Sequence, residues 1–561
     1  MDQKMIVSDK TTLMTGARGI VECLKLEGVS KVFCVPGESY LPVMDAIHDE
    51  ETITLMSARH ESGAAFMAEG YAKATGKPGI VMATRGVGAA NLSIGVHTAY
   101  QDSTPMVVFL GQVHSKFRGR EGFQEVDLDR FFDPIAKWSV EISHADRVPE
   151  LVQRALRIAQ SGRPGPVIIS LPEDMLKQVA SMQFGLPMRK YCPVPSSRDM
   201  EEIKKVLQQA DRPVVIAGGG IKSSKAEDAL QHFAEKYSIP VAASFRRHDV
   251  LPNDHAAYAG HLGLGTDPLI LNTVKEADVV LAIGSRLSEV TTQDYSLISP
   301  TQKLIHIDIA AETIGNVFNP AVGVVADARE ALEALNRMEF TKDWGSWMLE
   351  RRKVYEGASA LEVEAAAAPL SNKQVMASLQ RLLPSDAILT NDAGNFASWM
   401  HTFYQFTGDQ AYIGPTSGAM GYGMPAALGA KIAFPDRPVI SLSGDGGFMM
   451  TVQEIETAVR YRIPIISIVF NNQMYGTIRM HQEMHFPEKV IGTELGQVRF
   501  DQMAKSMGAD GYLVQTIDEF DDVLAQALKH AKPTVIEVPM DPDQISVKRT
   551  IQDFRNNAVN T

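Results

Sequence analysis

The chain has 561 residues, of which 45% are hydrophobic and 22% charged, with a formal net charge of −13 and a pI near 5.6. This length predicts several domains of ordinary globular composition, and the acidic balance argues against nucleic acid as a partner. No apolar run reaches the ~18–20 residues of a membrane span, and the N-terminus lacks the apolar core of a signal peptide. The three cysteines fit neither a disulfide framework nor a zinc site, so we expect a cytoplasmic protein without membrane association.

Short apolar runs of strand length alternate with amphipathic stretches along the whole chain, a pattern typical of parallel βαβ units. Most of these runs end in Gly, Asn or Pro, where the turn into the next helix must begin. The predicted strands, in chain order, are KVFCVPG, TITLMSA, GIVMATRG, TPMVVFLG, PVIISLP, PVVIAGGG, ADVVLAIGS, KLIHIDI, AILTNDAG, RPVISLSGDGG, PIISIVFNN and PTVIEVP.

Two segments interrupt this alternation and are typical of linkers. Residues 188–202 carry Pro and Ser, and residues 356–374 are rich in Ala and Glu. We therefore predict an α/β protein with three doubly wound parallel-sheet domains. They are an N-terminal domain at 1–185, a Rossmann-like central domain at 195–345 and a C-terminal domain at 370–550.

Two polar residues follow neighbouring predicted strands in the last third of the chain. Asp445 lies between glycines after RPVISLS, and Asn472 ends PIISIVFNN; a T-x-x-E pattern at 451–454 predicts a helix start between them. Because parallel strands end at the same sheet edge, the carboxylate and the amide should emerge together there. Their oxygens favour Mg²⁺, and Gly446 and Gly447 leave room for a diphosphate near backbone N–H groups.

This GDG-x24-NN stretch resembles the thiamine-diphosphate signature shared by pyruvate decarboxylases, acetolactate synthases and their relatives. The resemblance implies that Asp445, Asn472 and the carbonyl of Met474 hold Mg²⁺, which in turn holds the cofactor's diphosphate. It also implies pyrimidine-binding, central and diphosphate-binding roles for the three domains. Further cofactor contacts implied here are Gly446, Gly447, Tyr475 and Ile478.

The other end of such a cofactor needs a carboxylate beside its pyrimidine ring. Glu61 follows the strand TITLMSA and opens an Ala/Gly-rich helix, while Pro36 and Gly37 end the strand KVFCV. By itself, Glu61 could also be a surface glutamate favoured by the helix dipole. Its spacing from Pro36-Gly37 resembles the family arrangement, which implies that Glu61 is the catalytic acid and that Pro36 and Gly37 contact the cofactor.

Further blocks resemble the acetolactate synthases in the family's order, from about residue 10 to about residue 545. GREGFQEVDLDRFF implies that Gln124 lies in the active site, and TSGAMGYGMPAALGAK implies that Met420 supports the bent cofactor. On a looser match, the loop TNDAGNFASWM implies diphosphate-side contacts by Gly394, Asn395 and Phe396.

The same resemblance favours a synthase over a pyruvate decarboxylase, since the chain lacks the adjacent His-His pair usual in the decarboxylases. Arg286, in VVLAIGSRLSEVTT, matches a family arginine placed to pair with the carboxylate of a second 2-oxoacid. His481 stands where the synthases carry a tryptophan of the acceptor pocket, and this leaves the acceptor open.

The implied reaction is decarboxylation of a pyruvate-like 2-oxoacid and carboligation to a second carbonyl compound. Two alternatives remain open: a 2-oxoacid decarboxylase or other C–C lyase on the same cofactor, and a non-catalytic cofactor-binding regulator. The resemblance implies a homodimer or tetramer, with each active site between the pyrimidine domain of one subunit and the diphosphate domain of another. The Gly-rich central domain, with Asp308, resembles a flavin-binding domain and leaves FAD open as an additional cofactor.

Overall fold

The computed structural model describes residues 11–363 and 369–558, so the middle of the predicted linker 356–374 lies outside the described residues. Within them the chain forms three six-stranded sheets and a two-stranded antiparallel ribbon. Each large sheet is parallel throughout and has helices between its strands. The predicted α/β class with three doubly wound parallel sheets is therefore confirmed.

The chain divides into two compact units. The first contains the residues up to Tyr191, together with Met424–Asp436 and Thr451–Ile463. The second contains Cys192–Gly423, Arg437–Met450 and the residues from Pro464 on. The boundaries of the three domains stay a prediction.

The first sheet and the ribbon belong to the first unit. Their elements are β1 (Thr12–Thr15), α1 (Gly16–Leu26), β2 (Lys31–Cys34), α2 (Leu41–His48), β3 (Thr54–Ser57), α3 (Glu61–Thr75), β4 (Gly79–Thr84), α4 (Arg85–Asp102), β5 (Met106–Gln112), α5 (Leu128–Phe132), β6 (Trp138–Glu141), α6 (Val148–Gln160), β7 (Pro166–Pro172), α7 (Glu173–Lys177) and β8 (Val179–Met182). The sheet order is β3-β2-β4-β5-β7-β6, and β1 pairs with β8. Strands β5 and β7 are buried along their whole length, as expected for a parallel sheet covered on both faces.

The central sheet belongs to the second unit. Its elements are α8 (Ser197–Gln208), β9 (Pro213–Ala217), α9 (Gly219–Ser223), α10 (Glu227–Tyr237), β10 (Val241–Ala243), β11 (Tyr258–His261), α11 (Pro268–Lys275), β12 (Val279–Ile283), β13 (Lys303–Asp308), β14 (Val322–Val325), α12 (Ala328–Arg337) and α13 (Gly345–Ala358). The order β11-β10-β9-β12-β13-β14 is 3-2-1-4-5-6 when the strands are numbered within the sheet. This is the order of dinucleotide-binding Rossmann domains.

The third sheet also belongs to the second unit. The last third of the chain forms α14 (Asn372–Leu382), β15 (Ile388–Asn391), α15 (Ala397–Phe403), β16 (Ala411–Ile413), α16 (Gly423–Ala433), β17 (Val439–Gly444), α17 (Asp445–Met450), α18 (Glu454–Arg460), β18 (Ile466–Asn471), α19 (Gly476–His485), α20 (Phe500–Ser506), β19 (Asp510–Leu513), α21 (Ile517–Ala527), β20 (Thr534–Pro539) and α22 (Ile551–Ala558). The sheet order is β16-β15-β17-β18-β20-β19. Numbered within their sheets, the first and third sheets share the order 2-1-3-4-6-5, so their architecture is repeated.

All the predicted strands are present, and most of the strands that the sequence did not indicate lie at sheet edges. Among the described helices, none is both long and apolar enough to cross a membrane.

Candidate active site

The predicted catalytic glutamate opens a helix in the first unit. Glu61 is the first residue of α3 and is 9% exposed, and its Oε2 accepts a hydrogen bond from Asn91 Nδ2 at 2.9 Å. A Cβ added at Gly88 would lie 3.3 Å from Glu61 Oε1. Both neighbours belong to α4, so this helix positions the carboxyl group of Glu61.

A second buried carboxylate holds the turn that leads into Glu61. Glu454 accepts hydrogen bonds from the backbone N–H of Arg59 at 3.1 Å and of His60 at 3.0 Å, and from Thr457 Oγ1 at 2.6 Å. Burial raises the pKa of Glu454, and these donors oppose that shift. The predicted helix start at Thr451 is wrong, because α18 begins at Glu454 and the carboxylate binds the turn before Glu61.

We expect Glu454→Ala to lower the free energy of unfolding by about 2–4 kcal/mol, because buried N–H donors lose their acceptor. Urea denaturation measures this change, and kcat should fall with it because the turn before Glu61 is released. The control is Glu456→Ala, which removes a half-exposed ion pair with Arg460 and should cost less than about 1 kcal/mol. Equal losses in the two variants would contradict the assigned role.

The other residues predicted on the pyrimidine side lie at the junction of β4 and α4. Gly37 packs so closely that an added Cβ would lie 2.6 Å from Thr84 Cβ, and Pro36 is exposed beside it. Gln124 has a φ of 63°, and its carbonyl accepts a hydrogen bond from Gly86 N at 3.0 Å. The same junction carries the α4 residues that contact the glutamate, so the predicted residues of this unit are brought together.

The predicted metal ligands lie at one sheet edge of the second unit. Strands β17 and β18 pair in parallel, with Gly444 opposite Phe470, and Asp445 and Asn472 follow these strand ends. Asn472 Oδ1 accepts a hydrogen bond from Met474 N at 3.3 Å. The expected convergence of a carboxylate and an amide at this edge is therefore observed.

The carboxyl group of Asp445 is buried against the turn that follows β18. Burial raises its pKa to about 6, although the backbone N–H groups of Gly446, Gln473 and Met474 lower it. An added Cβ at Gly446 would lie 2.7 Å from the ring of Tyr475, so this position excludes any side chain without rearrangement.

Asp392 is an acidic residue of this edge that the sequence did not single out. It follows β15 directly and is 1% exposed; Oδ1 accepts a hydrogen bond from Ala393 N at 2.9 Å, and Oδ2 has no partner among the described residues. Burial raises the pKa of Asp392 to about 6. The carboxylate packs on Gly447, where an added Cβ would lie 2.7 Å from Oδ2. The rule applied to Asp445, a polar residue after a strand end, would have found it in AILTND.

The predicted loop at 394–396 joins the same edge. Asn395 Nδ2 donates a hydrogen bond to Ile545 O at 2.6 Å, and the ring of Phe396 stacks on Phe470 with centroids 5.3 Å apart. Gly394, with a φ of 157°, precedes them, and an added Cβ at Gly476 would lie 2.9 Å from Asn395 Oδ1.

Two further predicted cofactor residues also belong to the second unit. Met420 is half-buried, and two residues later Tyr422 N donates a hydrogen bond to Asp392 Oδ1 at 3.4 Å. Ile478 lies on α19 and is 56% exposed, and on the same helix His481 is exposed. His481 stands at the position of the synthases' tryptophan, and the identity of the acceptor stays open.

The C-terminal helix packs on α19. Arg555 donates to Glu483 with Nη2–Oε1 at 2.6 Å and Nε–Oε2 at 2.9 Å. Hydrogen bonds from Arg555 lower the pKa of Glu483 to about 2. Ile545, Ile551 and Phe554 form a separate apolar cluster against which Met474 and Met480 pack.

We expect Glu483→Gln to lower the free energy of unfolding by about 3 kcal/mol at neutral pH, because Arg555 loses a buried carboxylate partner. Since the folded pKa is depressed, the stabilisation is present above about pH 4.5 and is lost as the pH falls towards 2. Urea denaturation across this range, with hydrogen exchange in α22, measures it. Gln552→Ala, at an exposed position of the same helix, should leave both readouts unchanged; the same change in both variants would contradict the prediction.

The residues of the third sheet fit a magnesium-held diphosphate. A carboxylate whose pKa is raised by burial gains from a bound cation, and Gly446 and Gly447 have no space for a side chain. No group of three or more His, Cys, Asp or Glu suited to a metal occurs in the described part of the chain. The predicted site comprises one carboxylate, one amide and one carbonyl, which phosphate and water oxygens would complete.

The central sheet carries Arg286 and the glycines that suggested FAD. Arg286 is half-buried after the end of β12. An added Cβ at Gly218 would lie 2.1 Å from Gly284 O, and Gly220 N donates to Gly284 O at 2.9 Å. Close backbone packing at the point where the strand order reverses therefore explains these glycines, and they are no separate evidence for a flavin. Asp308 is buried, and its Oδ1 accepts from the backbone N–H two residues on at 2.9 Å.

Three family models match this chain. They are the thiamine pyrophosphate enzyme N-terminal TPP binding domain over residues 14–131, the central domain over 200–335 and the C-terminal TPP binding domain over 392–538. The chain therefore belongs to the thiamine pyrophosphate enzyme family, and the predicted membership and cofactor are confirmed.

Its relatives are named acetolactate synthase large subunits. The probable large subunit of Methanocaldococcus jannaschii is 34% identical over 94% of this chain and 92% of its own length. The large subunit of Haemophilus influenzae is 33% identical over 92% of both chains, and the isozyme 3 large subunit of Escherichia coli is 31% identical over 93% of both. The chain is accordingly a thiamine-diphosphate-dependent enzyme of acetolactate synthase-like type.

Proposed function

We propose that the enzyme decarboxylates pyruvate or a closely related 2-oxoacid and joins the remaining acyl unit to a second carbonyl compound. Whole-length similarity to proteins named acetolactate synthase supports this reaction. The observation that carries the proposal is the buried carboxyl group of Glu61, held by Asn91. A regulator that only bound the cofactor would need no acid at this position, so the non-catalytic alternative is disfavoured.

The side chains have separate tasks in this proposal. Asp445, Asn472 and the carbonyl of Met474 would hold Mg²⁺. Glu61 would exchange a proton with the pyrimidine ring through its carboxyl oxygens. Gln124 would orient the substrate, and Arg286 would bind the carboxylate of a second 2-oxoacid. When bound, thiamine diphosphate supplies the carbanion chemistry that breaks and forms the C–C bonds.

The products distinguish the synthase from the remaining alternative. The purified enzyme is incubated with pyruvate, Mg²⁺ and thiamine diphosphate, and then with a panel of other 2-oxoacids and aldehydes. We expect acetolactate or another 2-hydroxyketone. Acetaldehyde as the sole product would replace the synthase with a 2-oxoacid decarboxylase.

We further propose a homo-oligomer in which each active site lies between subunits. Large apolar side chains exposed beside the predicted site residues support it, since such groups need a cover. Phe123 and Val87 are 71% and 49% exposed in the first unit, and Ile478 and Phe486 are 56% and 62% exposed in the second.

A mixed oligomer of Glu61→Gln and Asp445→Asn chains tests this arrangement. If the two residues act from different subunits, co-expression and dual-tag purification should recover activity that neither homogeneous variant has, because some sites in the mixture receive both native residues. Mixed oligomers without activity would contradict the shared site, and light scattering on the native enzyme reports the subunit number.

The absence of a disulfide among the described residues is consistent with a cytoplasmic location, which we also propose. Cys23, Cys34 and Cys192 form no disulfide in the described part of the chain, and burial raises the pKa of Cys34 to about 12.

The absorption spectrum of the purified enzyme tests for FAD; flavin bands that survive gel filtration would show that FAD is bound.

A further inference from the structure

Arg246 is a buried cation in the second unit. It lies in the loop after β10 and is 4% exposed. Its Nη2 donates to the backbone carbonyl of Asp392 at 3.4 Å, whereas Nε and Nη1 have no partner within residues 11–363 and 369–558. A guanidinium keeps its charge at any ordinary pH. Burial therefore leaves positive N–H donors without an acceptor, a costly arrangement.

The backbone of Arg246 adds a second cost. Its φ of 56° lies in the left-handed region, which residues other than glycine rarely adopt. Strained backbone and buried N–H donors without an acceptor both lower stability, and such costs concentrate at functional sites.

The charge of Arg246 lowers the pKa of the Asp392 carboxyl group, but no side chain among the described residues hydrogen-bonds to the guanidinium. The same unit holds a cluster of three buried imidazoles, in which His248 lies 4.4 Å from both His261 and His401 between ring centroids. Burial lowers the pKa of each, and the charge of Arg246 lowers the pKa of His248 and His401 further, so the rings are neutral. Neither nitrogen of His248 has a hydrogen-bond partner among the described residues. A neutral imidazole can donate to an anion but cannot replace one.

The position of Arg246 connects it with the candidate active site. It follows the carboxyl end of β10, and Asp392 follows the carboxyl end of β15. Open α/β sheets bind ligands at this edge. Asp392 in turn packs on Gly447, a predicted diphosphate contact.

We propose that Arg246 binds an oxyanion in the active site, either the carboxylate of a 2-oxoacid or a phosphate oxygen of the cofactor. Both present the negatively charged oxygen acceptors that complete a buried guanidinium. This inference rests on the proposed function and assigns a binding residue that neither the sequence pattern nor the family resemblance indicated.

Three variants test the assignment: Arg246→Gln, Arg246→Lys and, as a matched control, Arg247→Gln. Arg247 is the adjacent, half-buried arginine, whose Nη1 donates to the carbonyl of Arg246 at 2.7 Å. Calorimetry gives the Kd of thiamine diphosphate with Mg²⁺, and initial rates give kcat and KM for pyruvate. Arg246→Gln should raise either the Kd of thiamine diphosphate or the KM for pyruvate by about tenfold or more, because a charge-assisted hydrogen bond is lost, and Arg246→Lys should recover part of this loss.

The constant that changes identifies the oxyanion. A raised KM with an unchanged cofactor Kd assigns the substrate carboxylate, and a raised Kd assigns the diphosphate. If both constants match those of the Arg247→Gln control, the proposal is overturned. Should the native enzyme form neither acetolactate nor another 2-hydroxyketone from any substrate of the panel, the proposed function fails, but the cofactor Kd still tests whether Arg246 binds the diphosphate.

Thermal unfolding separates binding from a structural role. Glycine accommodates a positive φ, so Arg246→Gly should leave the Tm of the cofactor-free protein unchanged or raised. Protection by pyruvate or by inorganic pyrophosphate should be present in the native protein and lost in this variant. A lowered Tm with retained protection would make Arg246 a structural residue and sink the proposal.

Discussion

Glu61→Gln is expected to lower kcat by about 10²–10⁴-fold, the contribution of a positioned acid or base. The amide has nearly the same shape and can still meet Asn91, but it cannot hold or release a proton at the carboxyl oxygen. Because the side chain is buried at the start of α3 beside Gly88, water cannot easily substitute for it. Initial rates on pyruvate measure the loss.

Glu51→Gln is the control for this substitution, since Glu51 is an exposed glutamate of the same unit. It should retain native kcat, and both variants should keep the native circular dichroism spectrum and Tm. Thiamine diphosphate should still bind to Glu61→Gln. Native kcat in Glu61→Gln would remove Glu61 from catalysis. If Glu61→Gln lost cofactor binding and the native protein also showed no turnover, the non-catalytic regulator would be favoured.

Asp445→Asn is expected to raise the Kd of thiamine diphosphate by about 100-fold at fixed Mg²⁺, the scale of losing a group that holds a metal. The amide keeps an oxygen but removes the negative charge that attracts the cation. Calorimetry with and without EDTA measures the effect: chelation should release the cofactor from the native enzyme and change little in the variant. Asp522→Asn, at an exposed position of α21, is the control.

In the cofactor-free protein, Asp445→Asn should not be harmful, because the buried carboxylate then lacks its cation. Burial raises the pKa of Asp445 from 3.8 to about 6, so the folded state binds more protons than the unfolded state within this range. Its contribution to stability therefore falls as the pH rises through about 6. At neutral pH, Asp445→Asn should leave the Tm of the cofactor-free protein unchanged or raised. A lowered Tm together with an unchanged cofactor Kd would make Asp445 a structural residue.

The amino-acid sequence by itself determined most of the inner strands, the class of fold and the family. Strands such as β5 and β7 are apolar throughout because both faces are covered, and this makes them visible without tertiary information. Edge strands such as β6 and β14 were missed because their composition is mixed: β6 is half-exposed along its length, and β14 alternates buried and exposed residues. Parallel pairing also made the joint position of Asp445 and Asn472 predictable, since residues that follow adjacent strands share an edge.

Only the tertiary structure decided which polar residues hold the segments that carry the predicted site residues. Glu454 meets the backbone before Glu61, and Arg246 meets Asp392, across separations that no local spacing encodes. Whether a polar side chain is buried, and whether it has a hydrogen-bond partner, depends on the segments that pack around it. In a linear sequence the same residue types are equally typical of helix caps and of surface positions. The sequence could therefore predict that Asp445 and Asn472 share a sheet edge. The packing of distant segments determined what holds the turn before Glu61 and where buried guanidinium N–H groups have no acceptor among the described residues.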